Sequence, residues 1–432
     1  MNNKMRIGFY IQNKGYPDAD VRFPERGNPG IGGTQFTTVS LAYYLKKYYS
    51  DRLEIVLLVN AGGLFPEGLD ICCADDVVDA LAKSEQENCD IFVFKSCPGD
   101  HGIYKALENS TVKSIARSNN FPGVPGLRRI SESPQIKSHV CVGHEQLDVL
   151  RDHAVFKKST VIFDLFNSSN FKPAPDIVKT SDTVVFLGSI IPPKGFHKLA
   201  EAWPKVLKHK PDAKLIVIGS GKLYNRNSRL GKWKVAEESY EANCIRPFLA
   251  DEQGNVHPSV HFAGLLGEEK IEILQHADIG IVNPTGLTEV CPGSALEIQS
   301  CGTPVVSIAK QGLLDTVVHN ETGLLGKRYK DLANNIVYLL ENPEVAKKFG
   351  ENGMAFVDNK FSEHKIARQW FDLFVMVCKD RLPIQQPLKD NYFYRLKLLR
   401  EGLRVTKQTI PGLEKLPSFL EVSYRLRKSR QG

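Results

Sequence analysis

Glu289 and Glu297 stand eight residues apart, on either side of an expected helix start at Pro292–Gly293. Carboxylates accept hydrogen bonds from sugar and ribose hydroxyls, and amides at a helix start favour an anion such as a departing phosphate. Two acids alone have a plainer reading, in which Glu297 caps the helix and Glu289 is solvated. Lys194 follows the apolar run Val184–Leu187 and its terminal Gly188 by six residues, a spacing that suits an ammonium aimed at a diphosphate. By itself, an exposed lysine before a helix is usually only solvated. The loop Gly27-Asn28-Pro29-Gly30-Ile31-Gly32-Gly33-Thr34 lets backbone approach a phosphate or sugar, or is simply a tight turn. Paired carboxylates also suit hydrolysis, provided that they flank the scissile bond.

The elements that must position these residues follow from periodicity. Apolar, β-branched runs at Arg6–Ile11, Glu54–Val59, Ile91–Phe94, Val140–Val142 and Thr160–Phe163 alternate with helical stretches such as Thr34–Tyr48. After a proline-broken linker the alternation restarts at Thr183–Leu187, Lys214–Ile218, Val260–Phe262, Ile279–Val282 and Val305–Ile308. The reading is an α/β protein with two Rossmann-like doubly wound domains facing a central cleft, and ligands at the strand C-terminal ends. Its segments are a first domain over 1–170, a linker over 171–182, a second domain over 183–360, a crossover helix over 361–378 and a basic helical tail over 379–432. Residues 222–258 form a long polar and aromatic connection, read as an insertion.

Composition limits the alternatives. At 432 residues, 42% of them hydrophobic and 24% charged, the chain suits two globular domains. No apolar run reaches the roughly 18–20 residues of a membrane span. The opening MNNKMRIGFYI reads as a first strand and not as a signal peptide. Nine cysteines without a C-x-x-C pair suggest reduced thiols and a cytoplasmic setting. The net charge is +7, yet residues 379–432 carry 13 Lys/Arg against 5 Asp/Glu, so the remaining body is close to −1. A near-neutral body disfavours a nucleic-acid partner.

The order of motifs resembles glycosyltransferase family 4. It runs Gly188…Lys194-Gly195, Leu215-Ile216-Val217-Ile218-Gly219-Ser220-Gly221, Val260-His261-Phe262-Ala263-Gly264, Ala277-Asp278-Ile279, Glu289…Glu297, Cys301–Val306 and Glu321-Thr322-Gly323-Leu324-Leu325. Gly219-Ser220-Gly221 lacks the third glycine of a dinucleotide fingerprint, which disfavours a dehydrogenase. The resemblance covers about Arg6 to Cys378. It implies the GT-B arrangement, an acceptor-binding first domain and a donor-binding second domain. It further implies retaining transfer of a hexose-type sugar from a nucleotide-sugar donor to a glycan or lipid-linked acceptor, without a metal or other cofactor. Cell-surface polysaccharide or lipopolysaccharide assembly is the expected setting.

Residue by residue, the resemblance places Gly33 and Thr34 near the donor phosphate and the acceptor. Gly188, Ser189 and Lys194 fall at the diphosphate, and Glu289 lies against the donor sugar. Gly293, Ser294, Ala295 and Leu296 form the helix start that meets phosphate and sugar. Glu297 binds the ribose, which counts against a hydrolase pair, and Leu265 lies near the base. Three departures stand out. Ser189 replaces an arginine, Pro292 replaces a glycine and offers no N–H, and no first-domain histidine is evident. Asn119, in Ser114–Asn120, is the candidate substitute for that histidine, with a turn residue the competing reading. The triplet Asp18-Ala19-Asp20 lies outside the donor domain and reads as a solvated loop.

The tail places Tyr392, Leu396, Leu399 and Leu403 on one helical face, with Arg395, Lys397, Arg400, Arg404 and Lys407 over much of the rest. Two readings stand side by side: contact with an anionic membrane at the inner face of the cell, or packing on the enzyme body or another subunit. Two further functional readings compete with the transferase. One is a catalytically silent GT-B protein that binds a glycan or partner. The other is a GT-B-like epimerase or phosphorylase, which fits the motif order less well.

Overall fold

The structure, a computed structural model, describes residues 4–15, 18–96, 101–121, 123–223, 228–384, 396–413 and 416–429. The chain divides into two compact units. Met1–Pro24, Thr34–Leu165 and Glu363–Gly432 make the first, and Glu25–Gly33 with Phe166–Ser362 the second.

The first unit holds a seven-stranded parallel sheet. Its strands are β1 (Met5–Ile11), β2 (Leu53–Val59), β3 (Asp70–Cys73), β4 (Ile91–Lys95), β5 (Lys113–Ser118), β6 (Ile136–Cys141) and β7 (Ser159–Val161), in the order β3-β2-β1-β4-β5-β6-β7. Most are buried on both faces, which is why they read as continuous apolar runs. The helix Gly33–Tyr49 packs through Leu41, Tyr44 and Leu45, all nearly inaccessible. The helix Glu363–Cys378 sets Trp370 and Phe374 edge-on to Phe9, and Phe371 stacks on Tyr49.

The second unit holds six parallel strands: β8 (Thr183–Leu187), β9 (Lys214–Ile218), β10 (Val260–Gly264), β11 (Ile279–Ile281), β12 (Val305–Ile308) and β13 (Gly323–Gly326), in the order β10-β9-β8-β11-β12-β13. Residues 222–258, expected as an insertion, are joined to this core through the described part of the segment. Tyr240, Ile245 and Leu249 are buried in it. Glu241, fully buried, accepts the amides of Trp233 (2.7 Å) and Val235 (3.2 Å), so the segment folds around one carboxylate.

Each sheet reverses its strand order once, between β1 and β4 in the first and between β8 and β11 in the second. Beside such a reversal the connections leave in opposite directions, and the gap at the strand C-terminal ends accepts ligands. Lys194 and Glu289 lie on the chain segments that follow β8 and β11.

Three strands escape the periodicity reading. β3 is a short, largely exposed edge, and β13 is bounded by glycines. β5, Lys-Ser-Ile-Ala-Arg-Ser, is polar by composition yet almost wholly buried. Ser118 and the Arg117 guanidinium bond partners on other elements, which no local pattern reveals.

The tail forms the helices Lys397–Thr409 and Phe419–Lys428, while Tyr392 and Arg395 lie outside the described residues. Its charged face turns inward. Arg400 pairs with the buried Asp152 at 3.2 Å, Glu401 pairs with Arg151 at 2.7 Å, and Lys407 donates to the Asp152 carbonyl at 2.8 Å. Leu396, Leu398, Leu399 and Val405 are exposed, Leu398 to 86%. Packing on the body is therefore made largely by the charged residues, while Leu396 and Leu399 of the leucine stripe are exposed and Leu403 is half-buried. No helix among the described residues is long and apolar enough to cross a membrane.

Candidate active site

In the second unit, the chain leaving β8 makes one 3-10 turn over Pro192–Lys194, closed by Gly195 at φ +73°. A Cβ on Gly195 would lie 2.7 Å from both the amide nitrogen and Cγ2 of Thr285. Only glycine tolerates that backbone conformation and that approach together. Thr285 in turn donates its hydroxyl to the Pro193 carbonyl at 2.7 Å, so the lysine-bearing turn rests on the loop after β11.

That loop delivers Glu289. Asn283, at φ +30°, donates Nδ2 to the Leu287 carbonyl (2.8 Å) and to Glu289 Oε1 (2.9 Å). The amide of Gly312 donates to the Glu289 carbonyl at 3.0 Å. Lys194 Nζ then donates to the same Oε1 at 2.6 Å, with the two side chains only 16% and 10% exposed. Lys194 and Glu289 form one polar centre, drawn from the two sides of the strand-order reversal.

The helix Gly293–Ser300 begins four residues beyond Glu289. Pro292 is its N-cap without a side-chain hydrogen bond, no acid lies in the first turn, and a Cβ on Gly293 would meet nothing within 4 Å. The start is uncapped and open at Gly293, the condition under which leading amides attract an anion. Ala295 and Leu296 turn their side chains into the core, and the Ala295 amide returns to the Pro292 carbonyl at 3.1 Å. Glu297 is nearly buried, and both its oxygens bind Lys270 Nζ, at 3.1 and 3.0 Å.

The first unit has its own polar centre at the end of β5. The Gln146 amide donates to the Ser118 and Asn120 carbonyls, at 3.0 and 2.8 Å, and fixes the bend that carries Asn119. Arg117 binds Asp164 at 2.5 Å and the hydroxyls of Thr38 and Thr37 at 3.0 and 3.2 Å. Asn119 Nδ2 reaches the same Asp164 oxygen at 3.3 Å. Burial pushes the Asp164 carboxyl up, while the charge and hydrogen bond of Arg117 pull it down. Behind this bend Ser118 Oγ lies 2.7 Å from His139 Nε2, and His139 Nδ1 lies 2.9 Å from Ser159 Oγ. Asn119, Arg117 and Thr34 line a cavity of about 250 Å³.

Residues 167–356 match the sequence family described as Glycosyl transferases group 1. Over 389 residues the chain is 21% identical to poly(ribitol-phosphate) alpha-N-acetylglucosaminyltransferase of Staphylococcus aureus, covering 87% of this chain and 68% of that one. A capsular polysaccharide biosynthesis glycosyltransferase, CapM, of the same organism is 26% identical over 220 residues, which are 50% of this chain and 52% of CapM. Among solved structures, HepE of Anabaena, in complex with UDP and glucose, superposes with a TM-score of 0.59 at 16% identity, over 86% of this chain and 99% of that one. The chain carries a group 1 glycosyltransferase domain over residues 167–356. Its two Rossmann-like parallel sheets are the GT-B architecture, as the sequence implied.

Of the residues singled out in the transferase's sequence, Lys194, Glu289, Gly293, Ser294 and Glu297 fall within one region of the second unit. Gly188 lies beside Gly219, where a Cβ on Gly219 would sit 1.8 Å from the Gly188 carbonyl oxygen. Ser189 is 2% exposed and its hydroxyl donates to the Ser220 carbonyl at 3.2 Å, so this side chain is turned away from solvent. Leu265 is exposed beyond Gly264, which turns at φ +75°. Gly33 opens the first long helix with clear space over its Cα, and Asp20 of the acidic triplet is paired with Arg22 at 2.7 Å.

Sequence reasoning missed several supporting groups. Asn283 and Thr285 lie in Asn-Pro-Thr-Gly, which reads locally as a turn. Lys270 reads as one solvated charge in Glu268-Glu269-Lys270, although it is buried against Glu297. Arg117 and Asp164 are 47 residues apart, and nothing local pairs them. His139, fully buried, is enclosed by Ser118 and Ser159 and does not take the place of the absent first-domain histidine.

Proposed function

We propose that this glycosyltransferase is a retaining, metal-independent enzyme of the family 4 type. In this reading it moves a hexose-type sugar from a nucleotide-sugar donor to a glycan or glycolipid acceptor, in cell-surface polysaccharide or lipopolysaccharide assembly. One observation carries it: the 2.6 Å pair of Lys194 and Glu289, four residues before an uncapped helix start. The names of the Staphylococcus relatives support the polysaccharide setting, and the UDP held by HepE supports a nucleotide donor.

In the proposed reaction the donor diphosphate takes Lys194 as its counterion, and the Gly293 and Ser294 amides receive phosphate oxygens. Both stabilise the charge that grows as the anomeric carbon–oxygen bond breaks. An acceptor hydroxyl forms the new bond on the same face, and its proton passes to a phosphate oxygen of the departing nucleoside diphosphate. Glu289 orients and stabilises the sugar, and no nucleophilic role is assigned to it. Glu297 accepts the ribose hydroxyls, and Gly188 lets backbone approach the diphosphate. Leu265 lies beside the base, and Ser189 acts through the backbone it fixes. Gly33, Thr34 and Asn119 belong to the acceptor side. The donor is the co-substrate and no cofactor is involved.

For the tail, outward Leu396, Leu398, Leu399 and Val405, with exposed Arg425, Arg427 and Lys428 on the last helix, support contact with anionic lipid. Flotation with anionic liposomes tests it: equal recovery of the full chain and of a chain ending at Asp380 counts against the idea. The transferase reading is tested with a panel of UDP-, GDP- and ADP-sugars. Release of nucleoside diphosphate together with a glycosylated product supports it; no turnover with any donor, while glycan still binds, supports a silent binding protein.

A further inference from the structure

The strand-order reversal of the first sheet carries a cavity of about 250 Å³, small among ligand sites. The ends of β1 and β4 form its floor, and the starts of the helices Gly33–Tyr49 and Val77–Gln86 form part of its rim. Ile11, Val77, Val93 and Phe94 supply apolar wall. Its charges are unequal in their freedom. Asp76 is occupied, since its Oδ1 accepts the amides of Val78 and Asp79 at 2.8 and 2.9 Å. Arg117 is neutralised by Asp164. Lys95, the last residue of β4, is half-buried and has no ion-pair or hydrogen-bond partner among the described residues. Asn119 Oδ1 is buried in the same lining and likewise has no hydrogen-bond partner.

Among the described residues, a lysine without a counterion and an acceptor oxygen without a donor, in one small cavity, define a complementary molecule. It carries an anionic group and a hydroxyl. We propose that this cavity is an anion subsite for the acceptor: Lys95 binds a phosphate or carboxylate borne by the acceptor, and Asn119 Oδ1 accepts one of its hydroxyls. The assignment rests on the transferase reading, in which the first unit serves the acceptor. It makes Lys95 a specificity-determining residue that selects anionic hydroxyl-bearing acceptors over neutral ones.

Binding to the full-length chain tests this without turnover. Calorimetric titrations would compare glycerol 3-phosphate, L-malate and glycerol on the native protein and on Lys95→Met and Lys95→Arg. UDP, GDP and ADP would be titrated alongside. The expected result is binding of at least one of the two hydroxylated anions and none of glycerol, weakened at least about tenfold in Lys95→Met and largely kept in Lys95→Arg. Whether glycerol 3-phosphate or L-malate binds tells phosphate from carboxylate. Equal behaviour of glycerol and the anions, or anion affinity unchanged by Lys95→Met, overturns the proposal. Nucleoside diphosphate binding reports on the second unit. Its presence without anion binding sinks the subsite alone, and its absence beside Lys95-dependent anion binding sinks the transferase reading and with it the acceptor assignment, leaving an anion site at Lys95.

Discussion

Lys270 Nζ bridges both carboxylate oxygens of Glu297, at 3.0 and 3.1 Å, and both side chains are nearly buried. Breaking a buried pair on one side strands a charge, at a cost of about 3–5 kcal/mol. Lys270→Met is expected to lower thermal stability and raise the donor KM, with kcat changed less. Lys270→Met combined with Glu297→Met regains stability but not donor affinity. Steady-state kinetics and calorimetry check this, and an unchanged donor KM in the folded single variant refutes it.

Glu289→Gln keeps the size of the side chain and most of its hydrogen bonds while removing the charge that Lys194 meets at 2.6 Å. The expectation is a loss of transfer of about 10²–10³-fold, with the protein still folded. Lys194→Ala should weaken nucleoside diphosphate binding as well as transfer. A radiolabelled-sugar assay showing full activity for Glu289→Gln would remove this residue from the site.

Two glycines near the chemistry should behave oppositely. At Gly195, φ is +73° and a new Cβ meets Thr285 at 2.7 Å, so Gly195→Ala must displace the Lys194 turn. The loss of stability should exceed about 1 kcal/mol, with activity falling as for Lys194→Ala. Gly33 has open space over its Cα, so Gly33→Ala should fold normally. Chemical denaturation of the two variants separates these outcomes.

Burial, reinforced by the charge of His153, pushes His139 down to about 3. The unfolded chain takes up a proton on this ring near pH 6.5, and the folded chain does not until near pH 3. Stability should therefore fall as pH drops through that window. Denaturant midpoints at pH 7 and pH 5 measure the slope, and His139→Gln should flatten it. An equal slope in the variant would assign the acid sensitivity elsewhere.

The tail should respond to acid in another range. The hydrogen bond from Arg404, aided by Arg151, holds Glu401 down to about 2. Its contribution is complete above the ordinary glutamate value of 4.5 and disappears as pH falls toward 2. Glu401→Gln should release the helix Lys397–Thr409 at neutral pH, seen as faster amide exchange there and not in β1. Unchanged exchange would show that Arg400 and Asp152 hold the tail unaided.

The sequence alone determined the repeated strand–helix alternation and the parallel sheets, and it singled out Glu289, Glu297, Lys194 and Gly195 as candidates, because period and motif spacing are local properties. It could not show β5 as a central strand, since Arg117 and Ser118 are polar until their partners are supplied by other elements. Nor could it show that Lys270 faces Glu297, that Ser189 is buried or that Lys95 shares a cavity with Asn119. The tail makes the point most directly. Its amphipathic pattern was legible, but which face meets the protein was set by Asp152, whose burial with Arg400 turned the leucines outward. Burial and pairing across long sequence separations exist only once the chain has folded.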